Sequence, residues 1–316
     1  MHRIDVHHHY YPPTLMAAER EIRGELSADY RDWTVARAVE ELDRGETAMA
    51  ILSTSSRPDM RGAKAGERLR AIARDSNVFA AGMVRDYPGR FGFFTFLPMP
   101  DVEGSLHELA FALDQLDADG VGLMTSYGDA WLGDPAFVPL LEELDRRACV
   151  VYVHPLLPEC CSTILPYVPR AMLEFPYDTG RTVLSLLFSG AFARFRKIRW
   201  IFSHSGGPLP ALSGRIETLS ERFPKLAEIA PNGVAAEFRR LFCETANAAY
   251  RGSLAALLEW IPEEHVLFGS DYPYVSTQHN VASLHACDLS EPLLRKIEHD
   301  NAAALFTRVG VSKSGG

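Results

Sequence analysis

The sequence has few cysteines, and their spacing fits no disulfide framework. The five are Cys149, Cys160, Cys161, Cys243 and Cys287, an odd number without a Cys-x-x-Cys pair. Disulfide scaffolds are typical of short secreted chains, whereas this chain has 316 residues. We therefore expect a protein without disulfides, and we predict a cytoplasmic location.

Other features that are missing exclude further classes of protein. No apolar run approaches the roughly 20 residues that a membrane span needs, and the N-terminal MHRIDVHHHYYPP lacks the apolar segment of a secretory signal. No Gly-x-Gly-x-x-Gly follows a predicted strand, which disfavours a dinucleotide-binding fold. The 32 basic and 41 acidic residues give a net charge of −9, which argues against a nucleic-acid surface. We expect neither a membrane nor a nucleic acid as a partner.

What the chain does contain is an alternation of short apolar runs and helical patterns. Phe137, Leu140, Leu141 and Leu144 have helical spacing after an Asp134-Pro135 start signal. Eight such strand–helix units favour a closed (β/α)8 TIM barrel over an open sheet. We predict one domain over residues 1–316, with irregular insertions at 10–32 and 155–178 over the carboxyl face of the barrel. The predicted strands are Arg3–His8, Ala48–Ser53, Phe91–Leu97, Gly120–Thr125, Cys149–His154, Arg199–His204, Leu241–Glu244 and Val266–Ser270.

Strong chemical groups stand at the ends of four predicted strands, where barrel enzymes place their active sites. The first strand ends in His7-His8-His9, and because residues i and i+2 of a strand share a side, His7 and His9 can face the barrel axis together. The fifth, sixth and eighth strands end in His154, His204 and Asp271. Converging imidazoles suit a borderline divalent cation such as Zn²⁺. We predict one metal ion held by His7, His9, His154 and Asp271.

Each of these residues also has an ordinary structural interpretation. The three histidines resemble a cloning remnant, a single strand-end histidine is more often structural than a ligand, and Asp271 is suited to cap the segment after it. Independent structural residues would not all fall at strand ends, however. Their joint placement therefore favours a metal site.

The same residues carry a family resemblance that covers nearly the whole chain. His-x-His on the first strand, histidines on the fifth and sixth and Asp271 on the eighth resemble the amidohydrolase superfamily. The motifs IDVHHHYYP, VYVHP, FSHSGGPLP, LFGSDYP and NAAALF are similar to its branch typified by aminocarboxymuconate semialdehyde decarboxylase. The stretches LMTSYGDAWLGDPAFVPLLEELDRR and DTGRTVLSLLFSG look closest to 6-methylsalicylate decarboxylases.

This resemblance implies a lyase, a metal-dependent non-oxidative decarboxylase that releases CO₂ from a small, salicylate-type aromatic acid. In this interpretation Asp271 is the acid that protonates the ring carbon, and His204 hydrogen-bonds the developing charge. Arg215 matches an arginine that reaches a neighbouring subunit's site, which predicts a homodimer; a helix-surface salt bridge with Glu217 or Glu221 is the alternative. Further candidates for contact with substrate are Tyr10, Phe175 and Trp131, as aromatic packing, and Arg181, as a carboxylate ligand or a helix anchor.

Two departures and two alternatives accompany this prediction. No carboxylated-lysine position is evident between His154 and His204, so one metal ion is expected rather than two. His7 stands where resorcylate decarboxylases often carry a carboxylate. The ligands suit Zn²⁺ best, with Mn²⁺ as the alternative. The same ligands would also serve a hydrolase of a lactone, amide or related bond, or a catalytically silent metal-binding barrel.

Overall fold

The computed structural model describes residues 3–58, 62–161 and 165–308. Eight parallel strands pair in chain order, and the (β/α)8 barrel is confirmed. Beyond the last strand the barrel closes through backbone hydrogen bonds from Val6 N to the Phe268 carbonyl (3.0 Å) and from Asp271 N to the His7 carbonyl (2.8 Å). The barrel strands are β1 Arg3–His9, β2 Thr47–Ser53, β3 Phe91–Phe96, β4 Gly120–Met124, β7 Val150–His154, β8 Arg199–Phe202, β9 Phe242–Glu244 and β10 Val266–Leu267.

A short antiparallel hairpin and helices of varied length connect these strands. The hairpin pairs β5 Ser126–Tyr127 with β6 Ala130–Trp131. The α-helices are α1 Pro13–Arg23, α2 Ala28–Arg31, α3 Val35–Arg44, α4 Ala65–Asp86, α5 Val102–Gln115, α6 Val138–Arg146, α7 Arg170–Phe188, α8 Ala191–Arg194, α9 Leu209–Ser220, α10 Pro224–Ile229, α11 Val234–Phe238, α12 Arg251–Trp260, α13 Thr277–His285, α14 Glu291–Arg295 and α15 Asn301–Leu305. Within the described ranges, no helix combines the length and the apolar character that a membrane crossing requires.

The interior of the barrel is a packed core and its carboxyl end is polar. Ile4, Ile51, Phe94 and Tyr152 are buried in one cluster, to which Phe306 also belongs. A second, larger cluster lies between the strands and the surrounding helices. The carboxyl ends of the strands are therefore the ends that can carry chemistry, as is general for this fold.

Two predicted strands end two or more residues earlier than expected, both beside polar residues of interest. The sixth ends at Phe202 because His204 and Ser205 adopt left-handed conformations, with φ of 52° and 56°. The eighth ends at Leu267, and Asp271 has φ of 63°. Left-handed backbone is uncommon in residues other than glycine and is concentrated at functional sites. These turns direct both side chains toward the mouth of the barrel.

Candidate metal centre

Four predicted ligands come together at the carboxyl end of the barrel. One donor atom from each of His7, His9, His154 and Asp271 lies within 4.8 Å of the others, and all four residues are buried. The Nε2 atoms of His7 and His9 are 3.0 Å apart, and they lie 3.1 and 3.0 Å from Asp271 Oδ1. Ligand atoms about 2.1 Å from one ion and at right angles to each other are about 3 Å apart. The spacing of these three atoms therefore suits one divalent ion.

Hydrogen bonds behind the ligands fix which ring nitrogens face the centre. His7 Nδ1 lies 2.8 Å from Glu244 Oε1, and His9 Nδ1 lies 3.2 Å from the Ser53 carbonyl. Because carboxylate and carbonyl oxygens only accept, both Nδ1 atoms donate and both Nε2 atoms are left to bind a cation. His8 points to the other side of β1, where its Nδ1 bonds Asp5 (3.0 Å) and its ring stacks on Tyr272.

The charges around the centre favour a single cation. Burial alone would lower the pKa of His7, but the carboxylates of Glu244 and Asp271 raise it to about 10. Burial lowers the pKa of His9 to about 4 and that of His154 well below the ordinary value. Without metal, one proton on His7 thus supplies the positive charge that the site requires. A bound metal ion would replace that proton, as is usual when metals bind to histidine.

Asp271 is held as a carboxylate by several partners. Burial would raise its pKa, but the charge of His7 and the hydrogen bonds from the histidines keep that pKa well below its usual value. His204 Nε2 is 3.5 Å from Asp271 Oδ2, and Asn247 Nδ2 donates to the same oxygen at 2.7 Å. Asp271 is therefore ionised at rest, and any proton that it transfers has to be supplied by a neighbour.

Glu244, at the end of β9, is a functional residue that the sequence analysis missed. Besides bonding His7, its Oε1 accepts from the backbone N–H of His204 at 2.7 Å, and its Oε2 accepts from Ala246 N. Gly269 makes room for this carboxylate, since a Cβ at that position would lie 2.1 Å from Glu244 Oε2. One buried side chain thus positions both a ligand and the neighbouring His204.

A cavity of about 1260 Å³ opens above the centre. Its wall includes His154, His204, Asp271, Asn247, Phe175 and Tyr274. Phe175 lines this cavity, and its contact with substrate stays a prediction. Asn247 and Tyr274 are further cavity residues that the sequence analysis did not identify.

Three other predicted contacts are corrected, because these side chains do not line the cavity. Tyr10 is fully buried in the core, where its hydroxyl donates to the Ser76 carbonyl at 3.3 Å. Trp131 donates from Nε1 to the buried Asp178 at 2.8 Å. Arg181 lies 3.7 Å from the same carboxylate and 3.8 Å from Glu174. Trp131 therefore holds α7 against the hairpin. Both partners of Arg181 lie on α7 itself, so Arg181 stabilises its own helix and the helix-anchor alternative describes it.

Arg215 stands apart from its own chain's cavity. It is exposed on α9, one turn beyond Ala211, which lines the cavity edge. Among the described residues it forms no ion pair, so the predicted alternative of a bridge to Glu217 or Glu221 is not seen. The side chain is thus available to a second subunit.

Comparisons with known proteins agree with this architecture. The family model described as amidohydrolase matches residues 4–308. The chain is 33% identical to a 6-methylsalicylic acid decarboxylase of Penicillium expansum, over 98% of this chain and 97% of that protein. It is 34% identical to one of Aspergillus aculeatus, over 99% and 98%. The crystal structure of a dihydroxybenzoic acid decarboxylase from Polaromonas sp. JS666, with bound manganese and an inhibitor, superposes with a TM-score of 0.84 at 22% identity, covering 97% of each chain.

Proposed function

This chain belongs to the amidohydrolase family, and from that premise we propose that it is a metal-dependent, non-oxidative decarboxylase of a small aromatic acid with an ortho hydroxyl group, such as 6-methylsalicylate. The observation that carries the proposal is the pairing of His204 with Asp271, which both line the cavity and lie beside the predicted histidine ligands. A purely structural metal site has no need of an open cavity and a proton-carrying neighbour. These features favour an enzyme over a silent barrel.

The metal would be held by His7, His9, His154 and Asp271. When bound, it would supply a positive charge that orients an ortho-hydroxy acid and neutralises it. Zn²⁺ suits the imidazoles and remains our first choice, although one neighbour in fold carries manganese and the mixed donors tolerate that ion.

The protein's own residues provide the proton that replaces CO₂. The bond between ring and carboxylate carbon breaks, and the ring carbon takes up one proton. Because Asp271 is ionised at rest, we propose that His204 passes a proton from Nε2 to Asp271 Oδ2, across the 3.5 Å that separate them, and that Asp271 delivers it. Asn247 orients the same oxygen through its 2.7 Å hydrogen bond.

Stoichiometric CO₂ release tests the function directly. The protein is stripped with a chelator, reloaded with Zn²⁺ or Mn²⁺ and given 6-methylsalicylate, salicylate and a panel of lactones and amides. We expect CO₂ and the matching phenol in equal amounts, only after a metal is restored. Hydrolysis of a lactone or amide without CO₂ from any acid would establish the hydrolase instead.

We further propose that the protein works as a homodimer in which Arg215 reaches the partner subunit's cavity. The cavity of about 1260 Å³ exceeds the roughly 300–1,000 Å³ usual for small-molecule sites, so a second subunit has room to narrow it. Met172 (73% exposed) and Tyr250 (54% exposed) form part of the cavity edge. Exposed apolar side chains beside a cavity are typical of a surface that another subunit covers.

Mixing two impaired variants tests this role of Arg215. Arg215→Ala should lower kcat/KM by roughly 10- to 100-fold, the usual effect of losing charged hydrogen bonds. When Arg215→Ala and Asp271→Asn subunits are co-expressed in equal amounts, half of the dimers are mixed and each has one complete site, so about a quarter of the wild-type activity should return. If Arg215 serves its own chain, the mixture does not exceed the residual activity of Arg215→Ala alone.

A further inference from the structure

Two turns at the carboxyl end of the barrel carry residues in left-handed conformations. The turn after β9 carries Asn247, with φ of 54°, and the turn after β10 carries Asp271, with φ of 63°. Left-handed backbone is uncommon outside glycine, and it persists where the surrounding contacts fix it. The two side chains meet, because Asn247 Nδ2 donates to Asp271 Oδ2 at 2.7 Å. The position of one turn relative to the other therefore decides whether Asp271 keeps this hydrogen bond.

Asn280, a buried residue of α13, joins these two turns. Its Oδ1 accepts from the backbone N–H of Asn247 at 2.8 Å, and its Nδ2 donates to the Ser270 carbonyl at 2.7 Å. The same Nδ2 lies 3.3 Å from the carbonyl of Ser276, at the start of α13. One N–H donor and two carbonyl acceptors match the oxygen and the two amide hydrogens of an asparagine. The orientation of the Asn280 side chain is therefore fixed, and all of its hydrogen-bonding groups are used.

The turn after β10 has further attachments to the barrel. Both the backbone N–H and the hydroxyl of Ser270 donate to the buried carboxylate of Asp5, at 3.0 and 2.6 Å. In the described part of the chain, the hydrogen bonds that link the two turns to each other are the direct one between Asn247 and Asp271 and those through Asn280. Loss of the Asn280 amide should therefore displace Asn247 and leave the backbone of Asp271 in place.

We propose that Asn280 is a positioning residue that holds Asn247 against the carboxylate of Asp271. Asn247 lines the cavity, and Asn280 acts through it from behind. A displaced Asn247 would leave Asp271 Oδ2 free to turn away from His204. The inference rests on the proposed function and deepens it, because this oxygen is the one proposed to receive the proton from His204 and deliver it.

A double-mutant cycle on the metal-loaded protein tests whether Asn280 acts through Asn247. Asn247→Ala should lower kcat roughly 10- to 100-fold, the effect of losing a hydrogen bond to a charged group, and Asn280→Ala should lower it roughly tenfold through the same contact. Because both changes remove one interaction, the double variant should match Asn247→Ala to within about twofold. Losses that multiply in the double variant would overturn the inference. If Asn280→Ala does not fold, Asn280→Asp sets an oxygen against the Ser270 carbonyl, and the same cycle applies.

Asn301→Ala is the matched control, because it removes the same kind of side chain at the opposite end of the barrel. Asn301 is also buried, and its Nδ2 donates to the carbonyls of Glu263 (2.7 Å) and Val266 (2.8 Å). We expect this variant to lose melting temperature comparably to Asn280→Ala while its kcat stays at the wild-type value. Equal losses of kcat in the two variants would reveal a general effect of destabilisation and would also refute the positioning role.

The absorption spectrum of bound Co²⁺ adds a readout that needs no turnover. Co²⁺ occupies sites of histidine and carboxylate ligands, and its visible bands depend on the number and arrangement of those ligands. With Asn247 displaced, the carboxylate of Asp271 is free to turn. The bands should therefore shift alike in Asn247→Ala and Asn280→Ala, and stay unchanged in Asn301→Ala. If no acid releases CO₂ but these bands shift, the proposed function fails and the role of Asn280 stands; CO₂ release with wild-type bands and kcat in Asn280→Ala gives the reverse.

Discussion

Replacing Asp271 by Asn should reduce turnover by roughly 1000-fold or more, within the range that a general acid contributes. The variant loses the carboxylate that lies about 3 Å from both His7 and His9. It also loses the group that, within the described part of the chain, is placed to receive a proton from His204 and pass it on. In addition, the new amide has to direct its NH₂ group somewhere. It faces either the NH₂ group of Asn247, which is also a donor, or the histidine nitrogens that would bind the metal. The rate of CO₂ release checks the loss of the proton carrier, and the metal content per chain, measured on the same sample, checks the loss of the ligand.

The fold should survive this change, because Asp271 lies above the packed core and a neutral amide of the same size replaces it. Asp129→Asn is a suitable control, since Asp129 is an exposed carboxylate on the loop between β5 and β6. We expect the control to match the wild type in melting temperature, metal content and rate. Rapid turnover by Asp271→Asn would refute the proton path, even if its metal content were reduced.

Much of the fold was predictable because buried parallel strands have a simple pattern. Several strands are almost continuously apolar, and helical spacing fills the intervals, so all eight barrel strands were placed to within a few residues. The errors arose where local backbone overrides that pattern. A left-handed conformation at His204 or Asp271 has no reliable sequence signal, so the predicted sixth and eighth strands extended past their true ends.

The ligands were predictable from strand alternation, and the same rule explains one wrong prediction. His7 and His9 share a side of β1, so Tyr10, the next residue, belongs to the other side and packs into the core. Trp131 was misjudged for another reason. Its partner Asp178 lies 47 residues away along the chain, and sequence spacing reveals no such contact. Burial also raises the pKa of Asp178, which hydroxyl and indole donors help to keep ionised.

Glu244 could have been identified as a candidate by examining the last residue of every predicted strand. The predicted seventh strand already ended at Glu244, an acidic residue after an apolar run, which is the signal that identified Asp271. Nothing in the sequence, however, indicates that this carboxylate faces His7 and the backbone of His204 rather than solvent. The position of a residue at a strand end was thus predictable, whereas its partners required the structure.

Glu244→Gln should weaken metal binding by about 10- to 100-fold, the usual effect of losing a partner behind a metal ligand. Among the described residues, the three groups that hydrogen-bond Glu244 are all donors: His7 Nδ1, His204 N and Ala246 N. An ionised carboxylate accepts from all of them, whereas a glutamine amide must direct its NH₂ group at one or more. Either His7 loses its orientation and the charge that raises its pKa to about 10, or the turn that carries His204 loses its anchor. Competition with a chelating dye measures the metal affinity.

The two consequences of Glu244→Gln can be separated by metal saturation. With excess metal, a variant impaired only at His7 regains its turnover, whereas one with a displaced His204 keeps a low kcat. We expect partial recovery, because the same oxygen, Oε1, accepts from both His7 and the His204 backbone. Glu237→Gln is a matched control, as Glu237 is also buried but pairs with Arg196 and Arg240 away from the cavity. Unchanged metal affinity in Glu244→Gln, with a normal melting temperature, would show that Glu244 is not required to orient His7.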